Sequence, residues 1–259
     1  MIKRILRRLK ENQFAFEELV KRDFKQKYKR TVLGMGWSIL SPLLTLLVMR
    51  VVFTQFFGRN MPHYTTYLFA GNLMFSYFKE ATTGGMSALM ENKSIFTKIN
   101  VPKYLFLLTK NVSAVFNFML TLLVFFFFVW LDGVPFTWRF VLLLYPVFCM
   151  LVLNIGVGLI LSALFVFFRD IQYLYSVFTQ MLMYVSAIFY TVDAYPAHAQ
   201  NLFLLNPVYV AIKYVRMIVI DGVVPSAMIH GLLALYALAA LVIGGAIYKE
   251  KNHTFLYYV

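Results

Sequence analysis

"RDFKQKYKRTVLGMGWSILSPLL", residues Arg22 to Leu44, decides how this chain must be read: a dense basic run gives way within a few residues to apolar sequence, with Trp37 at the join. Cations immediately ahead of an apolar run mark the cytoplasmic side of a membrane span, and tryptophan is enriched at headgroup level. Composition agrees. Of 259 residues 61% are hydrophobic and only 14% charged, with a mean hydropathy of +0.72, whereas a soluble domain carries roughly a quarter charged residues. Several apolar runs reach the ~20 residues that cross a hydrocarbon core. The expected fold is an all-α integral membrane protein with one transmembrane domain.

Working outward from that join, six spans are predicted, over residues 34–57, 64–84, 105–131, 140–167, 173–191 and 227–248. Lys and Arg crowd residues 3–30 and recur as Lys93, Lys98, Lys103, Lys110, Arg169, Lys249 and Lys251 on one side of these spans. The other side has Arg59, Arg139, Lys213 and Arg216. The asymmetry predicts cytoplasmic termini. The net charge of +13 points to anionic headgroups or an anionic substrate at the membrane surface rather than to nucleic acid, because the cations flank apolar spans.

Ahead of the first span, Ile2, Ile5, Leu6 and Leu9 recur at helical spacing between cations, which predicts an amphipathic helix lying in the interface. A second helix is predicted from Phe14 to about Tyr28. Between the fifth and sixth spans, residues 190–226 carry Pro196, Pro207 and Pro225 in an apolar context. Two short helices dipping into the outer leaflet, around 197–205 and 208–220, fit that punctuation, either as a re-entrant pair near an exit or as an interfacial hairpin. The segment 91–102 offers Asn92 and Ser94 as caps, the apolar pair Ile95 and Phe96, and a stop at Pro102, predicting either a short exposed helix for a partner or an ordinary interfacial loop.

The chemistry is as telling. No Gly-Lys dipeptide occurs, so a phosphate-binding loop for ATP is excluded. His63, His198, His230 and His253 stand apart, and Cys149 is the only cysteine; no metal-ligand spacing or disulfide framework arises. Among the ionisable residues within spans, Arg50, Lys79 and Glu80 are suited either to structural pairing or to ion coupling. Aromatics are abundant. Belts and lipid-facing rings account for most, while Tyr77 and Tyr184 in mid-span suggest a lining for a sugar chain.

Four segments, "RDFKQKYKRTVLGMGWSILSPLL", "ENKSIFTKINVPKYL", "FFRDIQYLY" and "LLNPVYVAIKYVR", together resemble the transmembrane subunit of ABC-2 polysaccharide exporters, the O-antigen, teichoic acid and capsule permeases. That resemblance implies a homodimer in the bacterial cytoplasmic membrane that recruits a separate ATPase subunit holding ATP and Mg, with no cofactor or catalytic residue of its own. It implies a substrate entry at Lys25, Lys27, Tyr28, Lys29, Arg30 and Trp37, where a polyprenyl-diphosphate-linked glycan would arrive. It implies a gate helix around Asp23 to Val32, and channel aromatics that include Tyr77, Phe125, Phe128 and Tyr184. It further implies an ATPase-coupling helix at Lys93, Ser94, Ile95, Phe96 and Lys98, and an outer gate at Asn206, Pro207 and Tyr209. Related exporters of drugs or other lipids, and an ion-coupled flippase, remain alternatives at this stage.

Overall fold

Long apolar runs without internal breakers must satisfy their own backbone groups, and helices do so within one segment. The computed structural model describes residues 12–28, 31, 33–57, 61–98, 101–193, 195–252 and 254–258. The expected interface helix over residues 2–9 lies outside them, as do Lys29 and Arg30 and the side chains of Lys27 and Tyr28. The described helices are α1 (Gln13–Tyr28), α2 (Trp37–Phe57), α3 (Tyr64–Glu91), α4 (Lys93–Phe96), α5 (Tyr104–Leu131), α6 (Leu144–Phe167), α7 (Ile171–Val185), α8 (Ala197–Phe203), α9 (Pro207–Val219), α10 (Ala227–Lys251) and α11 (Phe255–Tyr258). Among the described residues all regular structure is helical.

Among the described residues three helices are long and apolar enough to cross a membrane: Tyr104–Leu131, Trp138–Phe167 including a leading 3-10 turn, and Ala227–Lys251. The pair α8 and α9, bent by 106°, reaches the same standard only if counted as one broken span. Three of the six expected spans meet that standard of length and composition among the described residues, and the bent pair makes a fourth helix of that standard if counted as one. Over 34–57 the helix is α2, 21 residues from Trp37 to Phe57, with Pro42 inside it. The helix expected over 64–84 runs on for 28 residues to Glu91, but Lys79, Glu80 and several threonines dilute its apolar content.

The span expected over 173–191 is overturned at its C-terminal end: α7 has 15 residues and stops at Val185. Ala187 beyond it takes φ 49°. The cause lies elsewhere in the chain. Arg216 of α9 draws the carbonyls of Ala187 (2.9 Å) and Ile188 (3.1 Å), and also binds the Tyr67 carbonyl (3.2 and 3.3 Å). Its guanidinium lies 3.3 Å from the Tyr67 ring centroid. Arg216, read from sequence as an outer-side cation, is instead buried in protein.

The centre of the molecule is built where glycines let backbones meet. A Cβ on Gly156 of α6 would collide with the Ala240 and Leu241 backbone of α10, and one on Gly244 would collide with the Gly156 carbonyl. Gly85 of α3 would place a Cβ 3.1 Å from Gly158 Cα. Close approach of small residues is the main attraction open to helices in lipid, where burial of apolar surface gives none. Around α3, α6 and α10, helix α5 packs its rings: Phe128 edge-on to Phe69 at 4.7 Å and Phe118 against Tyr77 at 4.6 Å.

The start of α3 is capped from another helix. His63 offers no cap and has φ 54°. Asp132, just past α5, accepts from the Thr66 amide (3.3 Å) and hydroxyl (2.7 Å), and Gly133 at φ 74° turns the chain away. Asp132→Ala is expected to cost about 1 kcal/mol, the usual worth of a cap, read as a fall of roughly 2–4 °C in melting temperature of the detergent-solubilised protein.

Candidate functional site

The polar chemistry of the molecule gathers where α1 meets the ends of α3 and α5. Arg22 and Asp23 are adjacent on α1, and Arg22 Nη2 donates to Asp23 Oδ1 at 2.8 Å. Arg22 Nη2 also donates to Asn92 Oδ1, in the residue between α3 and α4. Lys110 Nζ of α5 lies 3.2 Å from Asp23 Oδ2 and 2.7 Å from Glu91 Oε2. Ser87 completes the Glu91 contacts with a 2.6 Å hydrogen bond. Burial pushes the Glu91 carboxyl upward, but the hydrogen bonds from Lys110 and Ser87 prevail and hold it below its ordinary range.

Apolar contacts brace the same junction. Leu19 joins Leu89, Phe96, Phe106 and Val166 in one buried cluster, and Phe24 meets Phe116 edge-on at 4.9 Å. Helix α4 is a single turn. Of the residues expected to couple to an ATPase, Lys93, Ser94 and Lys98 are exposed and Ile95 is half-buried. Phe96 is buried, near Phe106 at 6.1 Å and under Lys103 at 5.9 Å. It therefore anchors α4 to the body, while the turn's polar face is free to meet a partner.

Of the expected entry residues, Lys25 is exposed on α1 and Trp37 is half out of the protein at the first position of α2. The expected channel aromatics divide. Tyr77, Phe125 and Phe128 are buried between α3 and α5, whereas Tyr184 on α7 is 55% exposed. Tyr184 closes a row of exposed polar residues at four-residue spacing, Gln172, Ser176 and Gln180, a stripe that lies along one face of a helix. The flank of α7 beside this stripe is held by Tyr175, whose hydroxyl donates to Thr82 Oγ1 of α3 at 2.5 Å.

The expected outer-gate residues lie at the bend between α8 and α9. Asn206 caps α9, its Oδ1 accepting from the Val208 amide at 3.0 Å, with Pro207 as the first helical residue. Its Nδ2 donates to Ser186 Oγ at 2.9 Å, tying α9 to the end of α7. Tyr209 is buried against Phe203 at 5.4 Å. Glu80, expected to pair or to carry a proton, accepts from Asn117 Nδ2 at 2.5 Å.

Four contributors escaped sequence reasoning as a group: Asp23, Glu91, Asn92 and Lys110. One signal was available. Lys110 stands seven residues into a 28-residue apolar helix, and a cation there needs a carboxylate partner. Which carboxylate it takes depends on how α1 folds back over α5, and no local pattern encodes that.

The sequence pattern of the ABC-2 type transporters matches residues 15–220, from the first turn of α1 to just past the end of α9. The chain belongs to the ABC-2 type transporter family. This ABC-2 permease is 27% identical over 256 residues to the O-antigen export system permease protein RfbA of Myxococcus xanthus, covering 97% of this chain and 98% of that protein. It is 24% identical over 249 residues to the RfbA permease of Klebsiella pneumoniae, covering 93% and 95%. With the polysialic acid transport protein KpsM of Escherichia coli it shares 23% identity over 243 residues, covering 93% and 94%. As a permease it is the multi-pass membrane subunit, and ATP hydrolysis falls to a separate ATPase.

Proposed function

We propose that this chain moves a polyprenyl-diphosphate-linked polysaccharide across the bacterial cytoplasmic membrane, working as a homodimer with two copies of a partner ATPase. The similarity to polysaccharide-export permeases over nearly the whole chain carries this reading. The polar stripe of Gln172, Ser176, Gln180 and Tyr184 supports it: amide and hydroxyl groups exposed along a membrane helix need water, a second protein surface or a polar cargo. Two copies joined with these faces inward would enclose a hydrated path suited to a sugar chain.

In this reading α2, α3, α5, α6, α7 and α10 act as six spans, with α8 and α9 as a re-entrant outer pair and both termini cytoplasmic. Lys25, Lys27, Tyr28, Lys29 and Arg30 form an entry at the headgroup level, with Trp37 setting the depth of α2. A juxtamembrane cation contributes about 1 kcal/mol toward an anionic surface, enough in combination to concentrate a diphosphate-linked lipid. Lys93, Ser94 and Lys98 present the surface that the ATPase receives.

Two measurements test this. Purification of the permease from its source should recover an ATPase, and deletion should leave lipid-linked glycan inside the cell; export that persists after ATP depletion would sink the reading. Replacing Lys25, Lys27 and Arg30 together by glutamine is expected to reduce surface glycan tenfold or more in correctly inserted protein. Unchanged export would remove the entry role.

A further inference from the structure

The residues around Asn92 form a closed circuit of polar contacts. Asn92 receives Arg22, Arg22 holds Asp23, Asp23 faces Lys110, and Lys110 pairs with Glu91, the chain neighbour of Asn92. Asn92 is also the hinge of α4. Its carbonyl accepts from the Ile95 and Phe96 amides at 3.0 and 3.3 Å, and its Nδ2 donates to the Ala88 carbonyl in the last turn of α3 at 2.8 Å. The Asp23 side chain is only 4% exposed, so opening the circuit leaves a buried charge without compensation.

We infer that this circuit is the joint that makes α1 move with α4, with Asp23 and Lys110 as its positioning residues. The inference rests on the permease reading above and adds to it a route: displacement of α4 by the ATPase reaches the basic helix at the substrate entrance directly, and not only through the spans. Apolar packing such as that of Leu19 tolerates sliding between side chains. A ring of charge-assisted hydrogen bonds and close ion pairs either travels as a unit or breaks at one contact, which is the discrete behaviour that coupling between separated sites requires.

The test uses the intact permease–ATPase complex and a deletion strain carrying Asp23→Asn, Lys110→Met or both. ATP hydrolysis by the purified complex is expected to stay within about twofold of wild type, while surface glycan on the complemented cells falls tenfold or more. The double variant should be no worse than either single one, since both open the same circuit. Spin labels at Lys21→Cys and Thr97→Cys, both exposed, supply a second readout; Cys149, the only native cysteine, is buried. The label distance should be narrow and equal in nucleotide-free and ATP-trapped wild-type complex, and broad in Asp23→Asn. Parallel loss of complex, hydrolysis and export would reduce the circuit to a structural brace and overturn the joint, as would normal export in the variants. Wild-type complex that hydrolyses ATP without exporting glycan would instead bring down the permease reading, and the joint with it.

Discussion

Gly156→Leu is expected to abolish recovery of folded permease from the membrane. The site has no slack: even a single Cβ collides with the Ala240 and Leu241 backbone of α10, and backbone cannot rotate aside as a side chain would. Overpacking a tight core costs roughly 1–3 kcal/mol when neighbouring side chains can adjust. Here two helices must separate along their length, and Gly244 loses its own close seat against the Gly156 carbonyl at the same time. Gly231 and Gly245 on the same helix α10 are the controls, since a Cβ at either meets nothing within 4 Å. Alanine there should leave Tm unchanged or raise it, because glycine in a helix interior is about 1 kcal/mol worse than alanine. Yield and monodispersity on size-exclusion chromatography, with melting temperature, read all three sites; a normally folded Gly156→Leu protein would refute the packing described for α6 and α10.

Arg216→Leu is the second large effect. The guanidinium serves carbonyls of Tyr67, Ala187 and Ile188, which belong to two separate parts of the chain. Removing it leaves buried acceptors unsatisfied at about 1–3 kcal/mol each, so a loss on the order of 3 kcal/mol or more is expected. Arg216→Lys should recover little. A lysine ammonium is a compact point charge without the planar fork that reaches several carbonyls while lying on an aromatic face, as Arg216 does on Tyr67. The consequence is local as well as global: α7 stops at Val185 because the next carbonyls turn to Arg216. Hydrogen exchange over residues 186–192 should rise sharply in Arg216→Lys, and protection there equal to wild type would show that the break has another cause.

Much of the fold was legible in the residues. Apolar runs and the prolines at 196, 207 and 225 located the long helices and the bent pair, because span length and backbone restriction are local properties. The end of α7 was not legible, since the residues after Val185 (Ser-Ala-Ile-Phe-Tyr-Thr-Val) include no glycine or proline and the group that binds their carbonyls lies some 30 positions away. Tyr77, Phe125 and Phe128 illustrate the same limit. Their mid-span positions were visible, but whether a ring faces a neighbouring helix or open space depends on which helices pack beside it, and α3 and α5 bury all three.

By itself the sequence determined that this is a multi-pass helical membrane protein, that it holds no Gly-Lys phosphate-binding loop, and that its cations flank apolar runs. Those follow from composition and spacing, which act over a turn or a span. Tertiary structure alone decided that Arg22, Asp23, Glu91, Asn92 and Lys110 close into one circuit, that Arg216 binds carbonyls rather than water, and that Gly156 seats α10. Each depends on groups far apart in the chain, brought together only by helix packing.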